Sequence, residues 1–355
     1  MKNIIDTLKA SVIEYCSTIG ADSLLVQGAG GNVSWKDKDT LWVKASGTWL
    51  AEAAEKDIFV PVDLPHLQAA IENGDFSVTP RLSGESSLRP SIETLLHALM
   101  PHRVVVHLHA IEILAHLVRD NCQTDFQSLL DDFTSWAMVD YYKPGAALAA
   151  AVSAALAQKP NVDVIFLKNH GVVIGGADVA EVSRILDMLT SALSITPASI
   201  CSKSLPQMPM ELGQCDQYAP VQDADIHQLA LNDDLFNRLD SDWALYPDHV
   251  VFLGPRAYTY KTWDALGEQI KSKYEQPELV FIRGGGAFVR LTFNKTKEAQ
   301  LRCYYDVMSR QEPMINLIEL DSGQIDELLN WDAEHHRANL RRSSNARLEV
   351  ARGRC

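Results

Sequence analysis

A chain of 355 residues is too long for one typical domain and about right for two. Its hydrophobic fraction of 46% provides ample core-forming residues and excludes disorder as the main state of the chain. The formal net charge is -14, and lysines and arginines cluster only at the C-terminal end, so neither a nucleic acid nor an anionic membrane finds a matching surface. We therefore expect a small-molecule partner.

Cysteine usage and the N-terminal segment bear on the cellular compartment. The six cysteines form no C-x-x-C pair, which is typical of reduced cysteines in a cytosolic protein. The N-terminal segment has helical periodicity and carries Asp6 and Glu14 where a signal peptide has an apolar run. The longest apolar tract, residues 145–157, is shorter than the ~20 residues that cross a bilayer. We expect a cytoplasmic location.

Residues 1–196 alternate helix and strand signals, beginning with apolar residues at helical spacing. The glycine-rich turn GAGGNVS follows this helix at residues 28–34. Several of its backbone N–H groups are unobstructed by side chains, which indicates either an anion-binding nest or a tight turn without a ligand. The run LWVKASG then predicts a strand closed by a turn at Ser46 and Gly47, which could border the same pocket.

The rest of this part continues the alternation. Its predicted elements are a helix capped by Ser91 and ending at Met100, a buried strand at residues 103–110, an alanine-rich helix near 147–157, the strand VDVIFL, a turn at NHG and a helix near 178–194. Together they predict an α/β domain with a mixed or antiparallel sheet over residues 1–196.

Residues 197–225 lose periodicity and contain four prolines, which predicts a connection between two domains. Beyond it, residues 226–335 predict a small α/β domain. Its elements are a strand at VVFLG, a helix near 262–273, a strand at LVFIR, a strand-to-helix turn at the three glycines 284–286 and a helix near 296–310. The basic residues 336–355 predict a flexible tail.

Three histidines are the candidate metal ligands. His107 and His109 flank one residue of a predicted strand, so their side chains project to the same face. An H-x-H pair alone also occurs as hydrogen-bonded core or surface histidines. His170 strengthens the prediction of a metal site, because it lies in the turn that ends the strand VDVIFL, where a histidine faces a site more often than a core. Three histidine ligands leave one tetrahedral position open, as catalytic zinc requires.

Glu93 is the candidate acid or base. Its predicted position in a first helical turn also suits a carboxylate that only stabilises the helix N-terminus. His97 lies one turn further on the same face, where it either supports the site or packs in the core.

The motifs GGNVS, KASG, RPSIETLLH, HLH and KNHG occur in the order that is found in the class II aldolase/adducin family. The resemblance covers roughly residues 5–195. The longer strings LWVKASGTWL, RPSIETLLHALMP and YYKPGAAL are most similar to the aldolase part of bifunctional rhamnulose-1-phosphate aldolase/dehydrogenase proteins. The resemblance implies a three-layer α/β/α domain with a mostly antiparallel central sheet, followed here by a small C-terminal α/β domain.

The resemblance also implies residue roles. The implied zinc ligands, where another divalent metal is an alternative, are His107, His109 and His170, and the implied acid/base is Glu93. The residues implied to hold the substrate phosphate are Asn32, Ser46, Gly47 and Ser91. Two positions depart from the family, because Ala29 replaces a threonine and Ile92 replaces a serine that contact phosphate. Either Lys44 or Arg89 compensates, or the anionic group is a carboxylate.

As a family member the chain is expected to be a lyase that cleaves or forms a carbon–carbon bond in a ketose phosphate or related hydroxy-acid, through a metal-stabilised enediolate. Epimerase, decarboxylase or dehydratase activity, a non-catalytic adducin-like module and a dinucleotide-binding dehydrogenase fragment are the alternatives. The family also implies a tetramer in which a neighbouring subunit supplies a tyrosine, and the counterparts open here are Tyr141, Tyr142 and the tyrosines of the second domain.

Overall fold

The computed structural model describes residues 2–130, 135–198, 217–272 and 276–330, without the side chains of residues 2–6 and 272. The elements of the first part are, in chain order, α1 (Lys2–Ala21), β1 (Asn32–Asp37), β2 (Thr40–Lys44), a 3-10 turn (Leu50–Glu52), β3 (Phe59–Asp63), α2 (Leu64–Glu72), α3 (Thr94–Leu99), β4 (Val104–Leu108), α4 (Ile111–Leu117), α5 (Cys122–Leu129), β5 (Trp136–Val139), α6 (Ala146–Gln158), β6 (Val164–Leu167), β7 (Gly171–Gly176) and α7 (Val179–Ala192).

The second part continues the chain with a smaller set of elements. They are β8 (Tyr218–Pro220), α8 (Gln228–Leu231), α9 (Asp233–Arg238), α10 (Pro247–Leu253), β9 (Thr259–Tyr260), α11 (Trp263–Ser272), β10 (Leu279–Ile282), β11 (Gly286–Arg290), α12 (Lys295–Met308) and α13 (Ser322–Leu329). None of the helices in the described part of the chain has both the length and the apolar character needed to cross a bilayer.

The large sheet has the strand order β3-β2-β1-β4-β7-β6-β5, and every neighbouring pair is antiparallel except β5 with β6. Side chains of α1 and α7 pack on one face of this sheet, and side chains of α2, α3 and α6 pack on the other. The prediction of a three-layer α/β/α arrangement with a mostly antiparallel central sheet is therefore confirmed.

The second part forms a smaller sheet of order β8-β11-β10-β9 and packs directly on the first part through α4. Ile113 and Leu117 of α4 lie in the core beneath the large sheet. Ile111 and Leu114, on another side of the same helix, lie in a core made mostly of residues from the second part. A helix that is apolar on more than one side is buried on more than one side, and α4 thus joins the two parts.

Two predictions in the second part are wrong. VVFLG is not a strand but lies mostly within α10, which starts at Pro247, where the fixed φ of proline favours a helix start. A short apolar run cannot by itself distinguish a strand from a buried helix. The three glycines form a hairpin turn between β10 and β11, with Gly284 at φ 68° and Gly286 at φ 113°, and not a strand-to-helix turn.

The predicted connection at residues 197–225 includes β8, which pairs with β11. The smaller sheet therefore begins before residue 226. The sequence does not predict this strand, because three residues at a sheet edge carry too little pattern to be recognised. Residues 199–216 of the connection and the basic tail 336–355 lie outside the described residues. The division of the chain into domains stays a prediction.

A buried ion pair also joins the two parts. The Arg310 guanidinium, beyond the end of α12, donates two hydrogen bonds of 3.1 and 2.8 Å to Oε1 of Glu112 on α4. Arg310 is 5% exposed, so its charge is compensated mainly by this carboxylate. Removing one partner of such a pair leaves the other charge buried and uncompensated.

We expect Arg310→Ala to lower the free energy of unfolding by about 3 kcal/mol, because Glu112 would be left without its cation. Urea denaturation measures this difference. Arg283→Ala is the control, since Arg283 pairs with Asp233 at the surface, and it should cost less than about 1 kcal/mol. Equal losses in the two variants would contradict the expectation.

Candidate active site

The structure brings His107, His109 and His170 together, and all three are buried. The centroids of their rings lie 4.9 to 5.3 Å apart. One nitrogen of each ring can be chosen so that the three nitrogens lie within 4.8 Å of one another. This spacing suits three ligands of one metal ion.

The pairing of β4 with β7 brings the histidines together. His107 lies in β4 opposite Val173, and His109 directly follows the strand. Gly171 begins β7, and a Cβ atom there would lie 2.4 Å from the Leu108 carbonyl oxygen and 3.0 Å from Cδ2 of His109. Only glycine allows this approach, which places His170 beside the end of β4.

The turn before β7 has an unusual backbone. Asn169 adopts the left-handed conformation, with φ at 53°, which asparagine tolerates better than most residues. Its side-chain amide donates hydrogen bonds to the carbonyl oxygens of Leu245 and Ile318, at 2.9 and 2.6 Å. The second part of the chain therefore holds the turn that carries His170.

The buried polar atoms fit a divalent metal. Nδ1 of His107 bonds to the Val172 carbonyl oxygen at 3.1 Å, which leaves Nε2 for the cluster. Three buried atoms have no hydrogen-bond partner among the described residues: Nε2 of His107, Nε2 of His109 and Oε1 of Glu93. Burial lowers the pKa of His109 to about 3 and also lowers the pKa of His107. Neutral imidazoles are the form that binds metals.

Glu93 lies next to the three histidines. Its Oε1 is 3.5 Å from Nε2 of His107 and 3.2 Å from Nε2 of His170. Its Oε2 accepts a hydrogen bond of 2.8 Å from the side chain of Asn32, which lies opposite His107 in the β1–β4 pairing. Burial alone would raise the pKa of Glu93, but the adjacent histidines hold it well below its usual value.

The segment around Glu93 differs in detail from the prediction. The helix α3 begins at Thr94, and Ser91 and Glu93 lie in the turn before it rather than in its first turn. The Ser91 hydroxyl fixes this turn by accepting a hydrogen bond from the Glu93 N–H at 3.2 Å. The Glu93 carboxylate makes no capping bond to the helix, so the alternative of a purely helix-stabilising carboxylate is not supported.

His97 does not join the metal cluster. It is fully buried on α3, and its Nδ1 forms a hydrogen bond of 2.8 Å with the Ser34 hydroxyl. Burial lowers its pKa to about 3. The structure thus places His97 in the core behind the site.

One cavity collects the predicted substrate-binding residues together with Glu93, His109 and His170. Its wall includes Ala29, Gly30, Gly31, Asn32, Lys44, Ser46, Gly47, Ser91, Ile92, Pro144, Pro247 and Asp248. The two positions that depart from the family, Ala29 and Ile92, are both in this wall. Lys44 lines the cavity and its Nζ donates to the Ala29 carbonyl oxygen at 3.1 Å, whereas Arg89 is exposed outside the cavity wall.

Sequence reasoning missed Asp248. Its Oδ2 lies 3.6 Å from Nδ1 of His109, and its side chain is nearly buried. The apolar residues that follow it predict a strand, so the sequence does not indicate that Asp248 lies at the start of a helix. The signal that could have found it is the Pro247–Asp248 pair, which is typical of a first helical turn.

Two of the tyrosines named as counterparts of the family's intersubunit tyrosine do not reach the cavity of their own chain. Neither Tyr141 nor Tyr142 lines it.

Comparison with known proteins identifies the family of the first part of the chain. Residues 10–196, more than half of the chain, match the family described as "Class II Aldolase and Adducin N-terminal domain". The chain belongs to this family. Class II aldolases typically use a divalent metal, and the cluster of His107, His109 and His170 could bind one.

Two curated relatives each match about half of the chain. An uncharacterised oxidoreductase, YuxG, from Bacillus subtilis is 30% identical over 174 residues, which are 44% of this chain and 25% of that protein. An L-fuculose phosphate aldolase from Methanocaldococcus jannaschii is 27% identical over 202 residues, which are 55% of this chain and 98% of that protein. The match thus spans a quarter of the Bacillus relative but nearly all of the archaeal one.

Solved structures also resemble about half of the chain. The N-terminal class II aldolase domain of a protein from Thermoplasma acidophilum is 27% identical, with a TM-score of 0.44, and the match covers 52% of this chain and 90% of that one. The L-fuculose-1-phosphate aldolase from Thermus thermophilus is 18% identical, with a TM-score of 0.37, and the shares covered are again 52% and 90%.

We expect Gly171→Ala to lower the free energy of unfolding by about 1 to 3 kcal/mol, since the added methyl group overpacks the β4–β7 contact. Chemical denaturation measures the loss. Gly267→Ala in α11 introduces the same methyl group where nothing lies within 4 Å, and it should leave stability unchanged or raise it by up to about 1 kcal/mol. The close approach at Gly171 would be refuted by two variants of equal stability.

Proposed function

We propose that the protein is a zinc-dependent class II aldolase that cleaves or forms a carbon–carbon bond in a ketose phosphate. The observation that carries the proposal is the set of three buried histidine nitrogens with one oxygen of Glu93 beside them, at the base of a cavity that Lys44 and two serines also line. Three imidazole ligands with an open fourth position are typical of catalytic zinc. The archaeal relative, which matches over 98% of its length, carries the name of an L-fuculose phosphate aldolase.

Cleavage of the carbon–carbon bond leaves negative charge on the substrate carbonyl oxygen. When bound, the divalent ion supplies a Lewis acid that stabilises this charge. Burial lowers the pKa of His107 and His109 and so favours their neutral forms, which would leave the charge of a bound ion undiminished. Glu93 and the three histidines are buried, and burial strengthens the electrostatic interactions between them.

Glu93 is the residue that moves a proton. Its Oε1 faces the histidine cluster, while Asn32 holds Oε2 and thereby fixes the orientation of the carboxylate. A carboxylate kept ionised beside the cluster can accept a proton from the substrate and return it to the nucleophilic carbon. Asn32 acts through Glu93 as well as bordering the cavity.

The cavity also suits an anionic group of the substrate. Gly30 and Gly31 belong to a turn of small residues, and the hydroxyl groups of Ser46 and Ser91 border the same space. Lys44 adds a buried cation where the two family contacts are lost at Ala29 and Ile92. Of the two compensating residues considered, Lys44 is therefore the one we propose to bind the phosphate.

The alternatives differ in how well the site supports them. Epimerisation, decarboxylation and dehydration would start from the same cluster, so the choice of reaction is supported by the names of the aldolase relatives and not by the geometry. A non-catalytic module has no need of three buried histidines with an adjacent carboxylate. The three glycines at 284–286 form a hairpin turn between two strands and not a turn into a helix, where a dinucleotide would bind, so they do not support the alternative of a dehydrogenase fragment.

We expect His107→Ala, His109→Ala and His170→Ala each to abolish stoichiometric zinc binding, as measured by elemental analysis of the purified protein. Glu93→Gln should keep the metal but lower kcat for cleavage of a ketose 1-phosphate by about 10² to 10⁴, because a proton acceptor is lost. His66→Ala, remote from the cavity, is the control and should match the unsubstituted protein. Absence of bound divalent metal in the unsubstituted protein would reject the proposal.

For the anionic end, we expect Lys44→Met to raise KM for the phosphorylated substrate at least about tenfold, since a charge-assisted contact is worth about 1.5 to 3 kcal/mol. KM for the unphosphorylated sugar should change little. Arg89→Met serves as the matched control and should leave both constants unchanged. If Lys44→Met raises KM equally for both sugars, the phosphate assignment is wrong.

A further inference from the structure

Asp248 reaches the candidate metal site from outside the family domain. The match to the family ends at residue 196, whereas Asp248 lies in α10 of the second part. It is 5% exposed, and its Oδ2 is 3.6 Å from Nδ1 of His109. Gly30 lies against both side chains, because a Cβ atom there would be 3.4 Å from Oδ2 of Asp248 and 3.5 Å from Nδ1 of His109. The three residues form one wall of the cavity.

The backbone before Asp248 is fixed to the site on two sides. The Asn169 amide, next to His170, donates to the Leu245 carbonyl oxygen. The Glu319 carboxylate accepts hydrogen bonds from the backbone N–H groups of Trp243 and Ala244, at 2.6 and 3.0 Å. These bonds hold the segment that leads into α10 rigidly against the turn of the third histidine.

The start of α10 is equally constrained. Pro247 is buried, and the Tyr246 hydroxyl bonds to Sγ of Cys303 on α12 at 3.2 Å. Val250 packs in a small core with Leu320 and Leu328. Because the helix is anchored on both sides, the position of the Asp248 carboxylate is set by the fold and not by a mobile side chain alone.

We infer that Asp248 is a positioning residue that orients His109 for metal binding. This inference rests on the proposed function. His107 offers the comparison: its Nδ1 is held by a backbone carbonyl oxygen, and its Nε2 faces the cluster. His109 has no such carbonyl among its described contacts, and its Nε2 is the buried atom without a partner. The Asp248 carboxylate stands at the corresponding Nδ1 position.

The chemistry follows from the two nitrogens of the imidazole ring. Binding of a metal at Nε2 leaves the proton on Nδ1 and makes that N–H a stronger donor. The separation of 3.6 Å is slightly longer than a hydrogen bond, so a small rotation of Asp248 brings its carboxylate into contact with Nδ1–H. A carboxylate in this position fixes the tautomer and the ring orientation and makes Nε2 a better ligand. The second part of the chain thereby takes part in metal binding.

The test is the zinc affinity of Asp248→Ala and Asp248→Asn, measured by competition with a chromophoric chelator. We expect the dissociation constant to rise about 10- to 100-fold in Asp248→Ala. Asp248→Asn, which keeps an acceptor oxygen without the charge, should fall between that variant and the unsubstituted protein. The matched control is Asp242→Asn, a buried aspartate of the same segment that pairs with Arg238 and should bind zinc normally.

A purely structural role gives a different result. In that case Asp248→Ala would lower the unfolding temperature equally with and without zinc, and its zinc dissociation constant would be unchanged. A positioning role instead reduces the zinc-dependent rise in unfolding temperature, because a ligand stabilises a protein more when it binds more tightly. Normal zinc affinity in Asp248→Ala would overturn this inference and leave the proposed function unaffected. Failure of the unsubstituted protein to bind zinc overturns both the inference and the proposed function.

Discussion

The candidate site depends on the antiparallel pairing of β4 with β7. The alternation of side chains along β4 sends Val104, Val106 and Leu108 into the core beneath the sheet, while Val105 and His107 face the opposite layer. The strand is thus held by apolar packing and carries a candidate metal ligand, His107, on the face opposite to Val104, Val106 and Leu108. Pairing with β7 then brings the third histidine to the end of the same strand. A site on two paired strands keeps its geometry better than one on loops.

Much of this could be predicted from local pattern. A period of two places the H-x-H pair on one face, and the sequence pattern predicts α6, α7 and α12 within a few residues of their bounds. The residues implied by the family motifs, apart from His107, also line one cavity. These features are local, because spacing along a strand, a turn or a helix determines which way neighbouring side chains point.

Other features could not be predicted, because they depend on contacts between residues far apart in the chain. The approach of Asp248 to His109 and the bonds of Asn169 to Leu245 and Ile318 exist only after the second part has packed on the first. The apolar residues 250–253 are compatible with a strand as well as with a helix, and in the folded protein they form part of the helix α10. The three-residue strand β8 likewise exists only because β11 offers a partner edge.

The apolar side of α4 has a consequence for modularity. Ile111, Leu114 and Val118 belong to residues 10–196, yet the residues that cover them come from the second part. Excision of the family domain along its sequence boundary would leave this stripe in water, together with the uncompensated carboxylate of Glu112. Such a fragment would tend to self-associate. In this chain the first part therefore relies on the second part to cover α4, and the sequence boundary of the family does not coincide with a break in the packing.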